Sequence, residues 1–212
     1  MNDTKERIIR AATKLFAMHG YHKTSMRQIT EEAKVNLAAV NYHFGSKKAL
    51  LETIFMRRLV PLNQIRRQRL ADVAETARRD GKKTDVEELL RAFIEPTLKF
   101  GEDDPDSGYQ IALVFRSLAD PDEAVQELFV QYIAPLGHYL FQLLCEALPE
   151  LEPEVVLWRM RFSMGSIAQA LEIADQLNPV LEGVPLSRDV DTLIKILLPF
   201  LAAGMKAPVV NS

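Results

Sequence analysis

The chain has 212 residues, of which 48% are hydrophobic and 26% are charged. This balance is typical of a soluble globular protein with one large domain or a small domain joined to a larger one. The net charge of −3 argues against a uniformly basic protein, and no apolar run is long enough to predict a transmembrane helix.

The charge is unevenly distributed along the chain. Residues 1–70 carry 14 Lys and Arg against 5 Asp and Glu, a charge of +9, and residues 71–212 carry 12 against 24, a charge of −12. Such a split predicts a basic module for a polyanion joined to an acidic module with another task.

The first elements are helical. In residues 4–18 the apolar side chains recur at the spacing of one helix face, and Gly20 follows where a helix end favours a residue with positive φ. Ser25 and Gln28 have the spacing of a capping box, so a second helix is predicted to begin near Met26.

A third short helix follows. Asn36 is a suitable cap for a helix over residues 37–43, and Gly45 marks a turn. Ser46 then caps a fourth helix that continues past Pro61, where we expect a kink or a boundary.

The remainder of the chain also has helical periodicity. A polar linker at residues 78–84 is followed by good helix-start signals, and no stretch has the alternation of a half-buried strand. The sequence therefore predicts an all-α protein of about nine helices: a head at residues 1–46, then a connecting helix and a larger bundle at 47–212. The later helices are predicted at residues 85–100, 107–119, 121–147, 153–177 and 189–206, with a loop at 178–187.

The second and third helices have the layout of a helix-turn-helix. Spacing predicts that Ala33, Val35, Val40 and Phe44 pack inward, which leaves a mixed small and polar face outward. Such a face suits the DNA major groove, where Asn bonds adenine and small apolar groups touch the thymine methyl. The predicted DNA-contacting residues are Thr24, Ser25, Arg27, Gln28, Asn36, Leu37, Ala38, Ala39, Asn41, Tyr42, His43, Lys47 and Lys48.

Two roles are predicted within that set. Asn41 is expected to read a base. Phosphates are expected to contact Arg27, Lys47 and Lys48 and the hydroxyls and free amides of Thr24 and Ser25.

These residues resemble a known family. The run GYHKTSMRQITEEAKVNLAAVNYHFGSKKALL and the helix before it, roughly residues 5–55, resemble the head of the tetracycline-repressor (TetR) family. Asn41 departs from the family pattern, which usually has a phosphate-contacting Tyr there. The segments VNLAAVNYHFGSKKAL and LLPFLAAGMKAP are similar to the PsrA-type, fatty-acid-responsive branch.

The resemblance implies a homodimeric repressor. Its head would bind palindromic operator DNA, and its body would bind a small molecule that changes the spacing of two heads. The helices at 153–177 and 189–206 would form a four-helix interface with their symmetry mates; alternatively, both are buried in their own core. The predicted interface residues are Trp158, Phe162, Gly165, Ala168, Leu197, Phe200, Leu201 and Gly204, and Trp158 is equally compatible with a core position.

An effector pocket is predicted within residues 85–147, where Pro96 and Pro135 interrupt helices and can open a cavity. Ordinary core packing is the alternative. Arg116 either pairs with an anionic ligand group or forms an ion pair with Glu123 or Glu127, and His138 either contacts the ligand or is a hydrogen-bonded packing residue. The candidate residues are Phe93, Ile94, Leu98, Ile111, Phe115, Arg116, Phe129, Ile133, His138 and Phe141.

No catalytic constellation, metal site or cofactor motif is evident, so we predict a protein that is not an enzyme. The single cysteine, Cys145, excludes an internal disulfide and is interpreted as a buried small hydrophobe. With no secretory signal, we expect a cytoplasmic repressor released from DNA by an apolar effector such as a long-chain fatty acid or acyl-CoA. Within the class of regulators, the alternatives are an activator and a multidrug-efflux regulator that responds to planar or cationic drugs. Outside it, they are a hydrophobic-ligand carrier with a vestigial head and an enzyme hidden in the body.

Overall fold

A computed structural model describes residues 2–99, 107–117, 120–172 and 189–209. Across these ranges the chain forms ten α-helices and no strand, which confirms the all-α prediction. The predicted loop at 178–187 lies outside the described residues. The helices are α1 Asn2–His19, α2 Met26–Ala33, α3 Leu37–Phe44, α4 Lys47–Arg79, α5 Val86–Lys99, α6 Ser107–Ser117, α7 Glu123–Tyr132, α8 Ala134–Ala147, α9 Pro153–Glu172 and α10 Val190–Lys206.

The helix caps of the N-terminal region follow the sequence signals. Ser25 and Gln28 form the full capping box of α2, and the Asn36 side chain accepts a hydrogen bond from the first turn of α3. Gly20 follows the end of α1 with φ of 82°. The Ser46 hydroxyl accepts a hydrogen bond from the amide of Ala49, in the first turn of α4, at 3.1 Å. The local chemistry of these residues therefore sets the boundaries of the first four helices.

The prediction of one helix over residues 121–147 is wrong. The segment forms two helices, α7 and α8, separated at Ile133. Pro135 is the second residue of α8, where its missing N–H is tolerated, but it cannot continue the hydrogen bonds of α7. By contrast, Pro61 and Pro96 lie inside α4 and α5, which continue through them, so the predicted interruption at Pro96 does not occur.

The chain packs as two compact units. The first, here called the N-terminal unit, comprises Met1–Pro61 and Gly101–Pro135, and the second comprises Leu62–Phe100 and Leu136–Ser212. The division after residue 46 was drawn by function rather than by packing, and it stays a prediction.

The core of the N-terminal unit joins the predicted head to α6 and α7. Phe16 of α1, Ile29 of α2 and Val40 of α3 are buried in one cluster with apolar residues of α4. The same cluster includes Leu113 of α6 and Leu128 of α7. Helices α6 and α7 are therefore packed directly on the three-helix head.

The second unit has its own core, in which α10 packs against α5 and α9. Leu89, Leu90 and Ile94 of α5 and Leu198 of α10 are fully buried there. Within the described part of the chain, no single helix is long and apolar enough to cross a membrane, and only the bent pair α7 and α8 reaches that length and hydropathy together.

Candidate nucleic-acid interface

Helix α3 presents two different faces. Val40 and Phe44 are buried in the core of the N-terminal unit, as their spacing predicts. Leu37, Ala38, Asn41 and Tyr42 are exposed, and Tyr42 has 78% of its surface accessible. These four residues, here called the recognition face, combine hydrogen-bonding groups with apolar groups of different size.

His43 and Ala39 border the recognition face without being fully part of it. Both are half-buried, and the His43 ring lies edge-on to Tyr42 with ring centroids 5.2 Å apart. His43 therefore supports the orientation of Tyr42 from the side of the helix.

Arg7 is a positioning residue that the sequence pattern does not single out. Its Nη2 atom donates to the carbonyl of Ala33 at 2.6 Å and to that of Lys34 at 2.8 Å. These carbonyls end α2, and Lys34 adopts the left-handed conformation with φ of 52°. Helix α1 thereby fixes the turn that aims α3.

Thr24 does not offer its polar groups to a ligand, so its predicted phosphate contact is wrong. The side chain is buried, its hydroxyl donates to the carbonyl of Gly20 at 2.8 Å, and its amide donates to the carbonyl of Tyr21. The amide of Ser25 is also used, because it donates to the Gln28 side chain at 2.7 Å. The Ser25 hydroxyl is exposed, but it donates to Gln28 Oε1 at 2.9 Å and accepts a hydrogen bond from the Gln28 backbone amide within the capping box.

Lys47 has a larger structural role than predicted. Its Nζ atom donates to the carbonyls of Tyr21 and Thr24, both at 3.0 Å, and lies 4.2 Å from the centroid of the Tyr21 ring. Partial burial lowers the pKa of Lys47, and the nearby charge of Asp122 opposes that shift. Two of the three ammonium donors therefore join α4 to the turn before α2, and one is left for a phosphate.

Two exposed cations flank the recognition helix. Arg27 pairs with Glu31 one turn along α2 at 3.2 Å, and Lys48 pairs with Glu127 of α7. Exposed ion pairs of this kind are weak and exchange partners readily. Both cations are therefore placed to contact phosphate when DNA is present.

Arg116 binds the end of α1. Its Nη1 atom donates to the carbonyls of Ala17 and Met18 at 3.2 and 3.3 Å, which are among the last carbonyls of a helix that lack internal partners. A Cβ at Gly20 would lie 3.3 Å from Nε of Arg116, so the glycine also makes room for the guanidinium.

Among the described residues Arg116 forms no ion pair with Glu123 or Glu127, so that alternative is wrong: its guanidinium donates to the carbonyls of α1, and Glu127 pairs with Lys48. A second contact also joins α7 to α4, because the Tyr132 hydroxyl donates to Glu52 at 3.2 Å.

The predicted pocket residues are divided between the two units. His138 is exposed, which contradicts its interpretation as a packing residue, and the side chains of Ile111 and Phe115 lie outside the described part. Cys145 is half-buried rather than buried, and burial raises the pKa of its thiol. The buried or half-buried candidates are Phe129 and Ile133 in the N-terminal unit and Phe93, Ile94, Leu98 and Phe141 in the second.

Helices α9 and α10 carry an exposed apolar surface in the second unit. Trp158 and Phe162 of α9 are 51% and 65% exposed, with ring centroids 5.8 Å apart. Five residues, here called the C-terminal apolar face, share this character: Leu157, Trp158, Phe162, Ile196 and Phe200.

The remaining predicted interface residues divide by helix face. Gly165 and Gly204 are exposed and Ala168 is half-buried. Leu197 and Leu201 are only 7% and 3% exposed in the single chain, which fits the alternative that they are buried in their own core; their place in the dimer interface stays a prediction. On a helix, each lies about 100° from its neighbour in sequence, and this rotation turns both into the core of their own unit while Ile196 and Phe200 face out.

Within the described ranges, no cluster of three His, Cys, Asp or Glu side chains is arranged to hold a metal ion. The site is thus a surface of small, aromatic and amide side chains with cations at its edges, an arrangement suited to nucleic acid.

Comparison with known proteins supports this chemistry. Residues 8–54 match the family model of bacterial regulatory proteins of the tetR family, and residues 91–204 match that of the tetracyclin repressor-like C-terminal domain. The chain is 28% identical over 126 residues to the HTH-type transcriptional regulator LmrA of Bacillus subtilis, covering 59% of this chain and 62% of that protein. It is 41% identical over 51 residues to the HTH-type transcriptional regulator HbdR of Aromatoleum sp., covering 24% and 22%. The aligned part of the chain thus spans less than two thirds of these curated relatives.

Solved structures share the whole fold. A TetR-family transcriptional regulator from Bordetella parapertussis superposes with a TM-score of 0.67 at 17% identity, covering 93% of both chains. The fatty acid degradation regulator FadR from Bacillus halodurans superposes with a TM-score of 0.62 at 18% identity, covering 96% of both. Identities this low establish the fold alone. Regulators of this family act as dimers and are generally not enzymes. Because the C-terminal family model by itself spans more than half of the sequence, the chain belongs to the tetR family of bacterial regulatory proteins, whose members are DNA-binding regulators of transcription.

Proposed function

We propose that this protein is a homodimeric repressor in which α3 of each copy reads one half of a palindromic operator. The recognition face carries this proposal, because four neighbouring residues of α3 are exposed while its other face is buried. Asn41 has the amide needed to bond an adenine edge, and Leu37 and Ala38 can contact thymine methyl groups.

Phosphate contacts supply the affinity in this proposal. Arg27 and Lys48 lie exposed at the edges of α3 and exchange their carboxylate partners for phosphates. Neutralising phosphates releases counterions, so affinity falls steeply as salt rises. Retardation of DNA fragments from the regions flanking its own gene, at several salt concentrations, tests this. Binding that does not change with salt contradicts the proposal.

The C-terminal apolar face supports dimerisation through α9 and α10. Exposed aromatic and aliphatic side chains on neighbouring helices are costly in water and mark a protein–protein surface. Gly165 and Gly204 are exposed on the same helices, and glycine lets two helices approach closely. Two copies joined in this way would hold two α3 helices for half-sites one helical turn apart, about 34–36 Å.

The effector in this proposal is an apolar molecule with an anionic end, such as a long-chain fatty acid or its acyl-CoA ester. Ile94 and Leu98 are buried and Phe141 is half-buried in the second unit, so its interior is apolar. Each buried methylene of a ligand would contribute about 0.8 kcal/mol there. The FadR structure, whose name refers to fatty acid degradation, is consistent with this class of effector. The regulation of drug efflux is the alternative.

Transmission to the head is proposed to run through α4, α6 and α7. Helix α4 continues past Pro61 without a break. Arg116 of α6 binds the end of α1, and Lys48 and Glu52 of α4 contact α7. An effector shifts the DNA-binding equilibrium only if it favours the arrangement that does not bind DNA.

Operator release by a series of ligands tests the effector class. Fatty acids of increasing chain length are expected to release the DNA at decreasing concentration, whereas short-chain analogues have little effect. A planar cationic drug that releases the DNA better than every acyl compound would favour the efflux alternative. A protein that binds acyl chains but retards no DNA would instead be the carrier with a vestigial head.

A further inference from the structure

Arg66 is a buried cation in the second unit. It lies on α4 with only 8% of its surface exposed. Its guanidinium carbon is 4.6 Å from the centroid of the Phe93 ring of α5. Its other neighbours are the hydroxyl of Thr97 and the side-chain oxygen of Asn63. A side chain that normally stays at the surface is therefore held between two helices.

The hydrogen bonds of Arg66 leave part of its guanidinium unused. Nε donates to Thr97 Oγ1 at 3.1 Å, Nη2 donates to the same oxygen, and Nη1 donates to Asn63 Oδ1 at 3.0 Å. A guanidinium has five N–H donors. One donor on each terminal nitrogen therefore remains, and two such donors form the fork that binds a carboxylate or phosphate.

No carboxylate of the described residues neutralises Arg66. Burial lowers the pKa of its guanidinium to about 10, and no charged neighbour contributes to that shift. Neighbouring cations do have a carboxylate partner, because Glu95 pairs with Arg69 at 3.2 Å and with Lys99 at 3.1 Å. The acidic group nearest in sequence to Thr97 on α5 is thus committed elsewhere.

A buried charge without a counter-ion costs free energy, and an apolar side chain of similar size would usually be more stable there. A bound anion removes that cost by supplying the missing charge. Phe93, which is half-buried, lies against the guanidinium. Ile94 and Leu98 are buried on the α5 segment that leads to Thr97, so a chain attached to that anion would have apolar surroundings.

We propose that Arg66, oriented by Thr97 and Asn63, binds the oxyanion at the end of an apolar ligand. This inference rests on the proposed effector class and assigns its anionic group to α4 and α5. Arg116, the arginine that the sequence suggested for this role, binds the end of α1 instead.

The test compares ligands that share one chain and differ in the head group. Dodecanoate, dodecyl phosphate and dodecan-1-ol are titrated calorimetrically, below their aggregation limits, into the full-length chain. The native protein is expected to bind at least one of the two anions about tenfold or more tightly than the alcohol, as for hydrogen bonds to a charged group. Which anion binds more tightly separates a carboxylate from a phosphate source.

In Arg66→Met, the anion is expected to bind about as tightly as the alcohol, and the affinity for the alcohol should be unchanged. Arg66→Lys retains the charge without the fork, so part of the preference remains. Arg69→Met is the matched control, because Arg69 is on the same helix and already paired with Glu95; its preference should equal that of the native protein. An unchanged preference in Arg66→Met overturns the site.

Inorganic phosphate alone separates this site from the proposed effector. Phosphate is added at increasing concentration, and the rise in unfolding temperature is followed to saturation for the native protein and for both Arg66 variants. If phosphate stabilises only the native protein and Arg66→Lys, but dodecanoate releases no DNA, the site stands and the fatty-acid effector is wrong. If neither phosphate nor the dodecyl anions distinguish the native protein from Arg66→Met, the site is wrong, whatever releases the operator.

Discussion

Two exposed surfaces of this protein, one in each unit, carry apolar side chains and yet fit different partners. On α3, Leu37 and Tyr42 alternate with the amide of Asn41, and Arg27 and Lys48 lie at the edges. On α9 and α10, the five residues of the C-terminal apolar face are aromatic or aliphatic, and Arg161 lies over the ring of Trp158 at 5.6 Å. A cluster of exposed apolar residues therefore indicates a partner, and the groups beside the cluster indicate which kind.

The cations of the protein also differ in the groups that they bind. In the N-terminal unit, Arg7, Lys47 and Arg116 all donate to backbone carbonyls near helix ends, so they hold the head together. In the second unit, Arg159 likewise donates to the carbonyl of Met205 near the end of α10 at 2.7 Å, whereas Arg66 donates only to neutral side chains. Donation to backbone carbonyls satisfies a cation within the protein, whereas the contacts of Arg66 leave it without a negative partner among the described residues and with donors for an external anion.

The largest expected effect is at the C-terminal apolar face. Phe200→Glu places a charge at the centre of a proposed apolar interface in both copies, and losses at such positions reach about 2–4 kcal/mol or more. Sedimentation velocity at micromolar concentration should show monomers, and operator affinity should fall with them. Val130→Glu is the control, because Val130 is 64% exposed and Phe200 is 66% exposed, but Val130 lies in the other unit. A dimeric Phe200→Glu protein contradicts this assignment.

A substitution at Gly165 sharpens the same test without adding charge. A Cβ at this position meets no atom within 4 Å in the single chain, so Gly165→Leu should leave the monomer fold intact. Overpacking of the two-fold surface should then weaken dimerisation by roughly 1–3 kcal/mol. Unfolding temperature and dimer dissociation constant are measured together; a loss of stability without a change in dimerisation would place Gly165 outside the interface.

The recognition face is tested at Asn41. Asn41→Ala should cost on the order of 1–3 kcal/mol at one operator position and relax the preference there. Anisotropy titrations against operators with single base-pair changes measure this directly. A uniform loss across all variants would mean that Asn41 binds the backbone, the role usual for the Tyr that the family has at this position.

Lys47 should affect stability more than salt dependence. Lys47→Met removes the donor from two carbonyls, at a cost of about 1–3 kcal/mol in the free energy of unfolding. Urea denaturation of the native and variant proteins measures the loss. An unchanged unfolding midpoint together with a reduced salt slope would return Lys47 to a pure phosphate contact.

The smallest effect is expected at Lys48, which is exposed and paired with Glu127. Lys48→Gln should leave unfolding almost unchanged and reduce the slope of log affinity against log salt by about 1. Glu127→Gln is the matched control, since it breaks the same ion pair but keeps the cation. If both variants change the slope equally, the ion pair rather than a phosphate contact is responsible.

Much of the head could be predicted from local sequence. Ser25, Gln28, Asn36 and Gly20 act through atoms no more than a few residues away, so their caps and turns are independent of the rest of the fold. The inward and outward faces of α3 also follow from its helical period. The break at Ile133 was missed because the apolar pattern continues across it, although Pro135 marked the position.

The all-α class, the helix-turn-helix and the outward face of α3 follow from the amino-acid sequence, because periodicity and capping are local properties. By contrast, the groups to which the long arginine side chains donate depend on tertiary structure. Arg116 contacts residues 98 and 99 positions away in the chain, and Arg66 meets Thr97 across 31 positions. A flexible arginine or lysine can satisfy its donors with any carbonyl, hydroxyl or carboxylate within reach, and only the packing of helices determines which of them is within reach.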